Sequence, residues 1–320
     1  MHVTTYAYFG LLTVLMLALD VWQTRNGNVT IKKAAIWSLF WVLLALVFFI
    51  SLYEFWPVFE PDSAYSAHDA ATAFLTGYLL EKSLSVDNLF VFALIFGRFA
   101  VPQELRPRVL LWGVIGALVL RAVMIAIGAE LLEAFHWVLY LFAFFLIWTG
   151  YQLSKPESDD EEEVNSFPER MVRKLFRVTE GYQGTKLFTR DNFGFMVTPL
   201  LVVVAVIAMT DVLFALDSIP AIFAVTQEPF LVLTANVFAL LGLRSLYFVL
   251  EGMLDKFVYL RPALAFIMIF IGIKMLLIGT PWAIPTMVSL LVLLTTMTVA
   301  VIASIMKEKK LKKLKKLNVK

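Results

Sequence analysis

Two short motifs place pairs of carboxylates in stretches that are apolar enough to lie within a lipid bilayer. In each motif the two acids are six residues apart, and a small polar residue directly follows the second acid. These residues are Glu81, Asp87 and Asn88 in the first motif and Asp211, Asp217 and Ser218 in the second. A charge at bilayer depth costs about 3 kcal/mol, so an ionisable residue there is a candidate for function. The repetition of this costly pattern predicts a duplicated ion site.

The other residue types narrow the chemistry of such a site. The chain contains no cysteine, which excludes disulfides, thiolate metal sites and CxxC redox chemistry. Its histidines lie at predicted helix ends or in loops, at positions His2, His68 and His136. A buried site would therefore offer mainly oxygen ligands, which favour hard cations or protons over copper or structural zinc. We expect neither an organic cofactor nor enzymatic activity.

The composition is that of a polytopic membrane protein. Of the 320 residues, 60% are hydrophobic and only 16% are charged, whereas about a quarter are charged in soluble domains. Apolar runs of about 20 residues recur, each long enough to cross a hydrocarbon core of about 30 Å. We predict an all-α protein with about nine transmembrane helices. They lie at about residues 5–22, 36–56, 69–97, 108–129, 134–153, 197–225, 231–253, 260–279 and 283–306.

The charges between these helices predict the orientation of the chain. Loops that contain lysine or arginine alternate with loops that are acidic or uncharged. Because basic loops mark the cytoplasm, we expect a periplasmic N-terminus and a cytoplasmic C-terminus. The tail from Lys307 to Leu317 places leucines among lysines, so it should lie against anionic lipid and not bind nucleic acid.

Spans three to five and spans six to eight carry similar motifs in the same order but cross in opposite directions. Beyond the acidic motifs, residues 118–122 resemble 241–245, and residues 149–153 resemble 271–275. Inverted repeats of this kind place a substrate site near the bilayer midplane, although chance likeness between apolar helices is the alternative. The resulting division is residues 1–68 (two N-terminal helices), 69–153 (first repeat), 154–196 (cytoplasmic linker), 197–279 (second repeat) and 280–320 (ninth helix and polybasic tail).

The linker is polar and too short to form a domain with its own core. We therefore expect a solvated and partly disordered segment. Its acidic run, residues 159–163, could alternatively sense metal.

Two arrangements could bring the acids together. On a regular helix, residues six apart lie about 240° apart around the axis, so the acids of one motif point to different sides. Convergence on one ion requires either ligands from both repeats or local unwinding, which Pro220 should cause beside Asp217. The alternative is that the acids only pair with buried bases and stabilise the bundle. The bases within the predicted spans are Lys82, Arg121, Arg244 and Lys274. We expect Arg121 and Arg244 to be counter-ions, and Asn236 to bond between helices or to add a ligand.

The two motifs resemble those of the TerC family of integral membrane proteins. The likeness also includes residues 240–244 and 270–275 and extends over nearly the whole chain. The resemblance implies a bacterial inner-membrane protein that exports excess manganese, with the four acids of the motifs handling the metal. Family names also mention tellurium resistance and redox modulation, which are the alternative functions. The family usually has a glutamate where this chain has Ala208, so the number of metal ligands is open.

Exchange with protons would supply the driving force for export. A carboxylate at low dielectric favours its neutral, protonated form, so an arriving cation would displace protons. Export of a divalent cation from a negative interior costs about 4.6 kcal/mol per 100 mV and therefore requires coupling. The expected partners are thus a divalent cation, protons and membrane lipids. Oxygen ligands suit Mn²⁺, Ca²⁺ and Fe²⁺ alike, so the choice of Mn²⁺ as the transported substrate rests on the resemblance.

Overall fold

A computed structural model describes residues 3–24, 30–135, 137–155, 174, 176–191, 194–251, 259–278 and 280–317. This part of the chain is mostly helical, with one short β-hairpin. The helices are α1 (Val3–Thr24), α2 (Ile31–Phe59), α3 (Ala67–Arg98), α4 (Arg106–Ala134), α5 (Val138–Leu153), α6 (Pro199–Phe223), α7 (Pro229–Leu240), α8 (Leu243–Leu250), α9 (Leu260–Leu276) and α10 (Thr286–Leu317). The strands are β1 (Phe188–Asp191) and β2 (Gly194–Val197).

The helices confirm the prediction of a polytopic, helical membrane protein. Five segments are long and apolar enough to cross a bilayer. They are Thr4–Gln23, Ile31–Phe59, Arg106–Leu131, Pro229–Val249 and Thr286–Lys307. Shorter apolar helices lie at Val138–Gln152, Pro199–Asp211 and Pro262–Leu276. Each of the predicted spans overlaps one of the helices or, for the seventh span, the pair α7 and α8. The crossing of the membrane by all nine spans, and their division into repeats, stay predictions.

Helix α3, which carries the first acidic motif, lies at the centre of the bundle. It begins at Ser66, whose hydroxyl oxygen accepts a hydrogen bond from the Asp69 backbone N–H at 3.1 Å. Such a cap satisfies a donor that the first helical turn leaves free. Further along, α3 packs against α2, α6, α7 and α10. Its side chains Phe74 and Leu80 belong to a large buried apolar cluster. Because α3 is covered on several sides, Glu81 lies in the protein interior.

Helices α5 and α9 approach each other closely through two glycines. A methyl group added at Gly150 would lie 2.9 Å from the carbonyl oxygen of Ala265, and one added at Gly272 would lie 2.9 Å from that of Ala143. Small residues allow the backbones of membrane helices to come this close. The contact is reciprocal, with one glycine from each helix facing the other helix.

The predicted seventh span is interrupted, since α7 ends at Leu240 and α8 begins at Leu243. Leu241 is extended, and Gly242 has a φ of 76°, in the left-handed region that favours glycine. A Cβ at Gly242 would also lie 2.6 Å from Cδ1 of Trp41 on α2. Glycine is therefore required at this break both by the backbone conformation and by the close approach of an indole ring.

The expected opening of the sixth span beside Asp217 is wrong. Helix α6 stays helical through Asp217 and Pro220 and ends at Phe223. The proline removes the N–H that would bond to the Leu216 carbonyl oxygen, yet the backbone stays helical on both sides of it. The break that the sequence argument placed in the sixth span occurs in the seventh.

Part of the predicted linker has defined structure, and the expectation that the segment is partly disordered stays a prediction. Strands β1 and β2 pair in an antiparallel hairpin, and Val178 pairs in parallel with Val197. The Tyr182 hydroxyl donates a hydrogen bond to the carbonyl oxygen of Phe99 at 2.8 Å, and burial raises the pKa of Tyr182. Val197 is buried against the bundle, so the hairpin gains a core from the helices. The acidic run at residues 159–163 lies outside the described residues.

Candidate functional site

Two acids from different helices meet at a buried arginine. Arg121 of α4 donates from Nη1 to Oε2 of Glu81 on α3 at 2.6 Å. Its Nε and Nη2 atoms face Oδ2 and Oδ1 of Asp211 on α6, each at 3.4 Å. The three residues are 1–2% exposed. One guanidinium group therefore joins the first acid of each motif within the protein interior.

Two neutral side chains complete the surroundings of this guanidinium group. Nη1 of Arg121 lies 3.3 Å from Oγ of Ser218 on α6 and 3.4 Å from Oδ1 of Asn236 on α7. Asp211 and Ser218 are seven residues apart, or two helical turns, so they share one face of α6. We call Glu81, Arg121, Asp211, Ser218 and Asn236 the Arg121 cluster. It draws side chains from α3, α4, α6 and α7.

The Arg121 cluster has more negative than positive charge. With both carboxylates ionised, the two acids and one guanidinium carry a formal charge of −1. Three buried polar atoms at or near the cluster have no hydrogen-bond partner within the described residues. They are Oε1 of Glu81, Nδ2 of Asn236 and Oγ of Ser85. Buried charge and unpaired polar atoms are unfavourable, so the cluster can gain from a further cation.

The structure brings together some of the predicted site residues. Glu81, Asp211 and Ser218 belong to the Arg121 cluster, whereas Asn88 is buried elsewhere on α3 and makes no described contact with Arg121. The side chains of Asp87 and Asp217 lie outside the described residues, so their place in a site stays a prediction. Among the described residues, no three acidic or histidine side chains form a group that could hold a metal ion.

The predicted convergence of ligands from both halves of the chain agrees with this geometry. The acids of one motif do not need to meet each other, because one acid from each motif reaches the same guanidinium group. Pairing with a buried base, the alternative to a metal site, is also present. However, Arg121 pairs with two acids in this cluster, whereas simple pairing would give each acid its own base.

A second buried polar cluster surrounds the break between α7 and α8, and we call it the Arg244 cluster. Nη1 of Arg244 donates to Oδ2 of Asp20 on α1 at 2.7 Å. Nζ of Lys82 on α3 donates to the carbonyl oxygens of Ala239 at 3.1 Å and Leu241 at 3.2 Å. The ammonium group thus covers carbonyls that the interrupted helix leaves without an intrahelical donor.

The sequence argument missed Asp20, although a signal for it exists. Asp20 is an acid within the apolar run of α1 and is 3% exposed. An ionisable residue inside a predicted span is a functional or structural candidate by the same rule that singled out the two motifs. It was overlooked because it belongs to neither motif.

The family model described as "Integral membrane protein TerC family" matches residues 66–312. The chain belongs to the TerC family. It is 45% identical over 286 residues to Alx of Escherichia coli strain K12, whose name describes it as a proposed membrane-bound redox modulator, and the match covers 88% of each protein. Alx of Photorhabdus laumondii is 44% identical over 273 residues, covering 84% of this chain and 85% of that protein. An uncharacterised membrane protein of Myxococcus xanthus is 43% identical over 275 residues, covering 85% of this chain and 83% of that protein. No solved structure matches the chain.

Proposed function

We propose that this TerC family protein exports a divalent cation, most suitably Mn²⁺, across the inner membrane of a bacterium in exchange for protons. The observation that carries the proposal is the meeting of Glu81 and Asp211 at Arg121, deep in the bundle and with excess negative charge. Hard divalent cations prefer oxygen ligands, and the cluster provides carboxylate, hydroxyl and amide oxygens.

In the proposed transport state, the cation takes the place of the guanidinium group between the acids. Two carboxylates and a divalent cation are neutral, whereas the same set with Arg121 still in place would carry a charge of +1. Three of the four cluster residues that face Arg121 do so at 3.3 Å or more, and only Glu81 is in tight contact. Charge balance therefore favours movement of the Arg121 side chain out of the cluster when the cation binds. The contacts to Arg121 at 3.3 Å or more oppose this movement only weakly.

We also propose nine crossings and an inverted repeat, in which α3, α4 and α5 correspond to α6, the pair α7 and α8, and α9. The packing supports this: α3 lies against α7, and α4 lies against α6, so exchange of the two halves preserves both contacts. At α5 and α9, Gly150 faces Ala265 and Ile269, and Gly272 faces Ala143 and Ile147. The numbering differs by the same 122 positions in all three pairs of equivalent residues. Such symmetry is typical of secondary transporters with a central site.

The orientation proposed for the chain has a periplasmic N-terminus and a cytoplasmic C-terminus. Helix α10 continues into the lysine-rich tail as far as Leu317. In this orientation the lysines face the anionic lipids of the inner leaflet, each contributing about 1 kcal/mol of attraction near the surface.

The experiment is Mn²⁺ uptake into everted membrane vesicles, measured with and without a pH gradient. Glu81→Gln and Asp211→Asn remove one charge each from the Arg121 cluster and should abolish gradient-driven uptake while folded protein remains. Asp69→Asn is the matched control, because Asp69 is an exposed acid at the start of the same α3 and should be dispensable. Uptake by folded Glu81→Gln and Asp211→Asn at the wild-type rate contradicts the proposal.

Redox modulation is the second candidate, since it is the function given in the name of Alx, a relative that is 45% identical. The absence of cysteine means that this chain would need a bound redox group in place of a thiol pair. A visible absorption spectrum of the purified protein, before and after addition of dithionite, distinguishes the two. A reducible chromophore at stoichiometric amount favours the redox function.

A further inference from the structure

Lys274 carries a buried amine that has no hydrogen-bond partner within the described residues. It lies in the last turn of α9 and is 4% exposed. An ammonium group carries three donors, and all of them need acceptors when water is absent. Burying the charged form without partners is strongly unfavourable. This conformation therefore disfavours the ammonium form of Lys274.

The other lysine within the bundle, Lys82, is half-buried and has the support that Lys274 lacks. Two backbone carbonyls lie within hydrogen-bonding distance of its Nζ atom. Lys274 has no such acceptor in the described part of the chain. The geometry therefore leaves the amine of Lys274, and not that of Lys82, without a fixed partner.

Helices α3, α5, α6 and α10 pack against α9. Their described ionisable side chains are His68, Asp69, Tyr78, Glu81 and Lys82 on α3, Tyr140 and Tyr151 on α5, Asp211 on α6 and Lys307 on α10. None of them forms a hydrogen bond or an ion pair with Lys274. Glu81 and Asp211 already share Arg121. No described neighbour therefore supplies the charge that would hold Lys274 protonated.

A small cavity lies one helical turn before Lys274 on the same helix. Its volume is about 10 Å³, and Phe270 and Ile271 of α9 line it together with Thr76 and Ser289. The Ser289 hydroxyl is buried and has no hydrogen-bond partner within the described residues. A cavity of this size can hold a single water molecule. Since no described group accepts a hydrogen bond from the Lys274 amine, its protonation is favoured in a conformation in which water reaches it.

We propose that Lys274 is the proton-binding group that couples the pH gradient to metal export, a role that rests on the proposed metal–proton exchange. In the outward-open state the amine takes one proton from periplasmic water and becomes an ammonium group. In the inward-open state it returns that proton to cytoplasmic water, while the metal ion travels in the opposite direction. The proton site is thus separate from the Arg121 cluster, which binds the metal.

The test uses purified full-length protein in liposomes and two assays on the same preparation. The first assay measures Mn²⁺ uptake driven by a pH gradient, and the second measures exchange of radioactive for unlabelled Mn²⁺ at equal concentrations without a gradient. For Lys274→Met, gradient-driven uptake should fall about tenfold or more, the factor that a one-unit pH gradient contributes. Exchange should stay within about twofold of wild type, because the metal site is intact.

Lys274→Arg is the companion variant. Arginine stays charged in proteins, so it should fix the protonated state and suppress both uptake and exchange. The melting temperature of Lys274→Met should equal or exceed that of wild type, because an unpaired buried amine is replaced by an apolar side chain of similar length.

Results other than those expected would overturn either the role of Lys274 or the proposed metal transport. Full gradient-driven uptake by Lys274→Met overturns the role of Lys274, as does the loss of both activities in folded Lys274→Met. Failure of Lys274→Met to fold also overturns it, since a neutral unpaired amine should be replaceable. If wild-type protein shows neither uptake nor exchange, the proposed metal transport itself fails, whatever the variants do.

Discussion

Arg121 and Arg244 occupy matching positions in two similar sequence segments, yet their surroundings differ. Arg121 is shared between Glu81 and Asp211, and the cluster around it has excess negative charge. Arg244 pairs with Asp20, beside a break whose carbonyls are covered by Lys82. Both arginines are buried to a similar extent. Burial of a base thus says little about its role, whereas the groups that surround it say much.

The two clusters differ in what they can do. The Arg121 cluster is the candidate cation site, and the Arg244 cluster holds helices together. In the Arg244 cluster, Arg244 pairs with Asp20, Lys82 covers two carbonyls, and helices α1, α3 and α8 are joined around the end of α7. In the Arg121 cluster, one positive charge is too few for two carboxylates, and polar atoms remain unpaired. The first arrangement holds an interrupted helix in place, and the second can accept a cation.

The largest expected effect follows the loss of Arg121. Arg121→Leu leaves two buried carboxylates without a counter-ion and should reduce the free energy of unfolding by about 5 kcal/mol. Arg244→Leu breaks the buried pair with Asp20 and should cost about 3 kcal/mol. The measurement is equilibrium unfolding in mixed detergent micelles. Adding Glu81→Gln and Asp211→Asn to Arg121→Leu should recover most of the loss. Equal destabilisation by the two arginine variants, with no recovery, contradicts the distinction between the clusters.

The next largest loss of stability is expected for Gly242, at the break between α7 and α8. Gly242→Ala forces a left-handed residue to carry a Cβ and pushes that Cβ into Trp41, so it should cost about 3 kcal/mol. Gly10→Ala on α1 is the control, since no atom lies within 4 Å of the added methyl group. The same unfolding assay applies to both. A stable Gly242→Ala protein would mean that the break is not fixed by this glycine.

Replacing Lys82 and replacing Lys274 by methionine should have different effects on the free energy of unfolding. Lys82→Met removes the donor for two carbonyls at the end of α7 and should lower the free energy of unfolding by about 2 kcal/mol. Lys274→Met should leave it unchanged or raise it, because no described hydrogen bond is lost. Thermal melting of both variants in one detergent gives the comparison. A similar loss of stability in both variants would contradict the role of Lys82 in holding the end of α7 in place.

The smallest predicted effect concerns the departure of this chain from its family. Ala208 lies three residues before Asp211, on the same side of α6, and its Cβ faces Gly116 of α4. Ala208→Glu should add a third carboxylate near the cluster and tighten Mn²⁺ binding by about tenfold, or 1.4 kcal/mol. Titration calorimetry of the purified protein measures this change, with Ala208→Gln as the uncharged control. Equal affinity of the two variants would place position 208 outside the site.

Some of these features followed from the sequence because they depend on composition along the chain. Apolar runs located the helices, and charges within those runs located Glu81 and Asp211. The consequence of Pro220 was predicted wrongly, because the helical backbone continues past the missing donor without opening. The hairpin at Phe188–Val197 was missed, because its stability comes from packing Val197 against distant helices. Asp20 was missed because it belongs to neither acidic motif, although it lies within an apolar run.

The amino-acid sequence by itself determined that this protein is a helical membrane protein of the TerC family with two acidic motifs. Hydropathy and motif spacing are properties of neighbouring residues, so they can be read along one dimension. Only the tertiary structure decided that Arg121 is shared by two acids, that Arg244 pairs with Asp20 on α1, and that Lys274 has no described partner. Which buried acids and bases meet depends on which helices pack together. That packing is set by contacts between segments far apart in the chain.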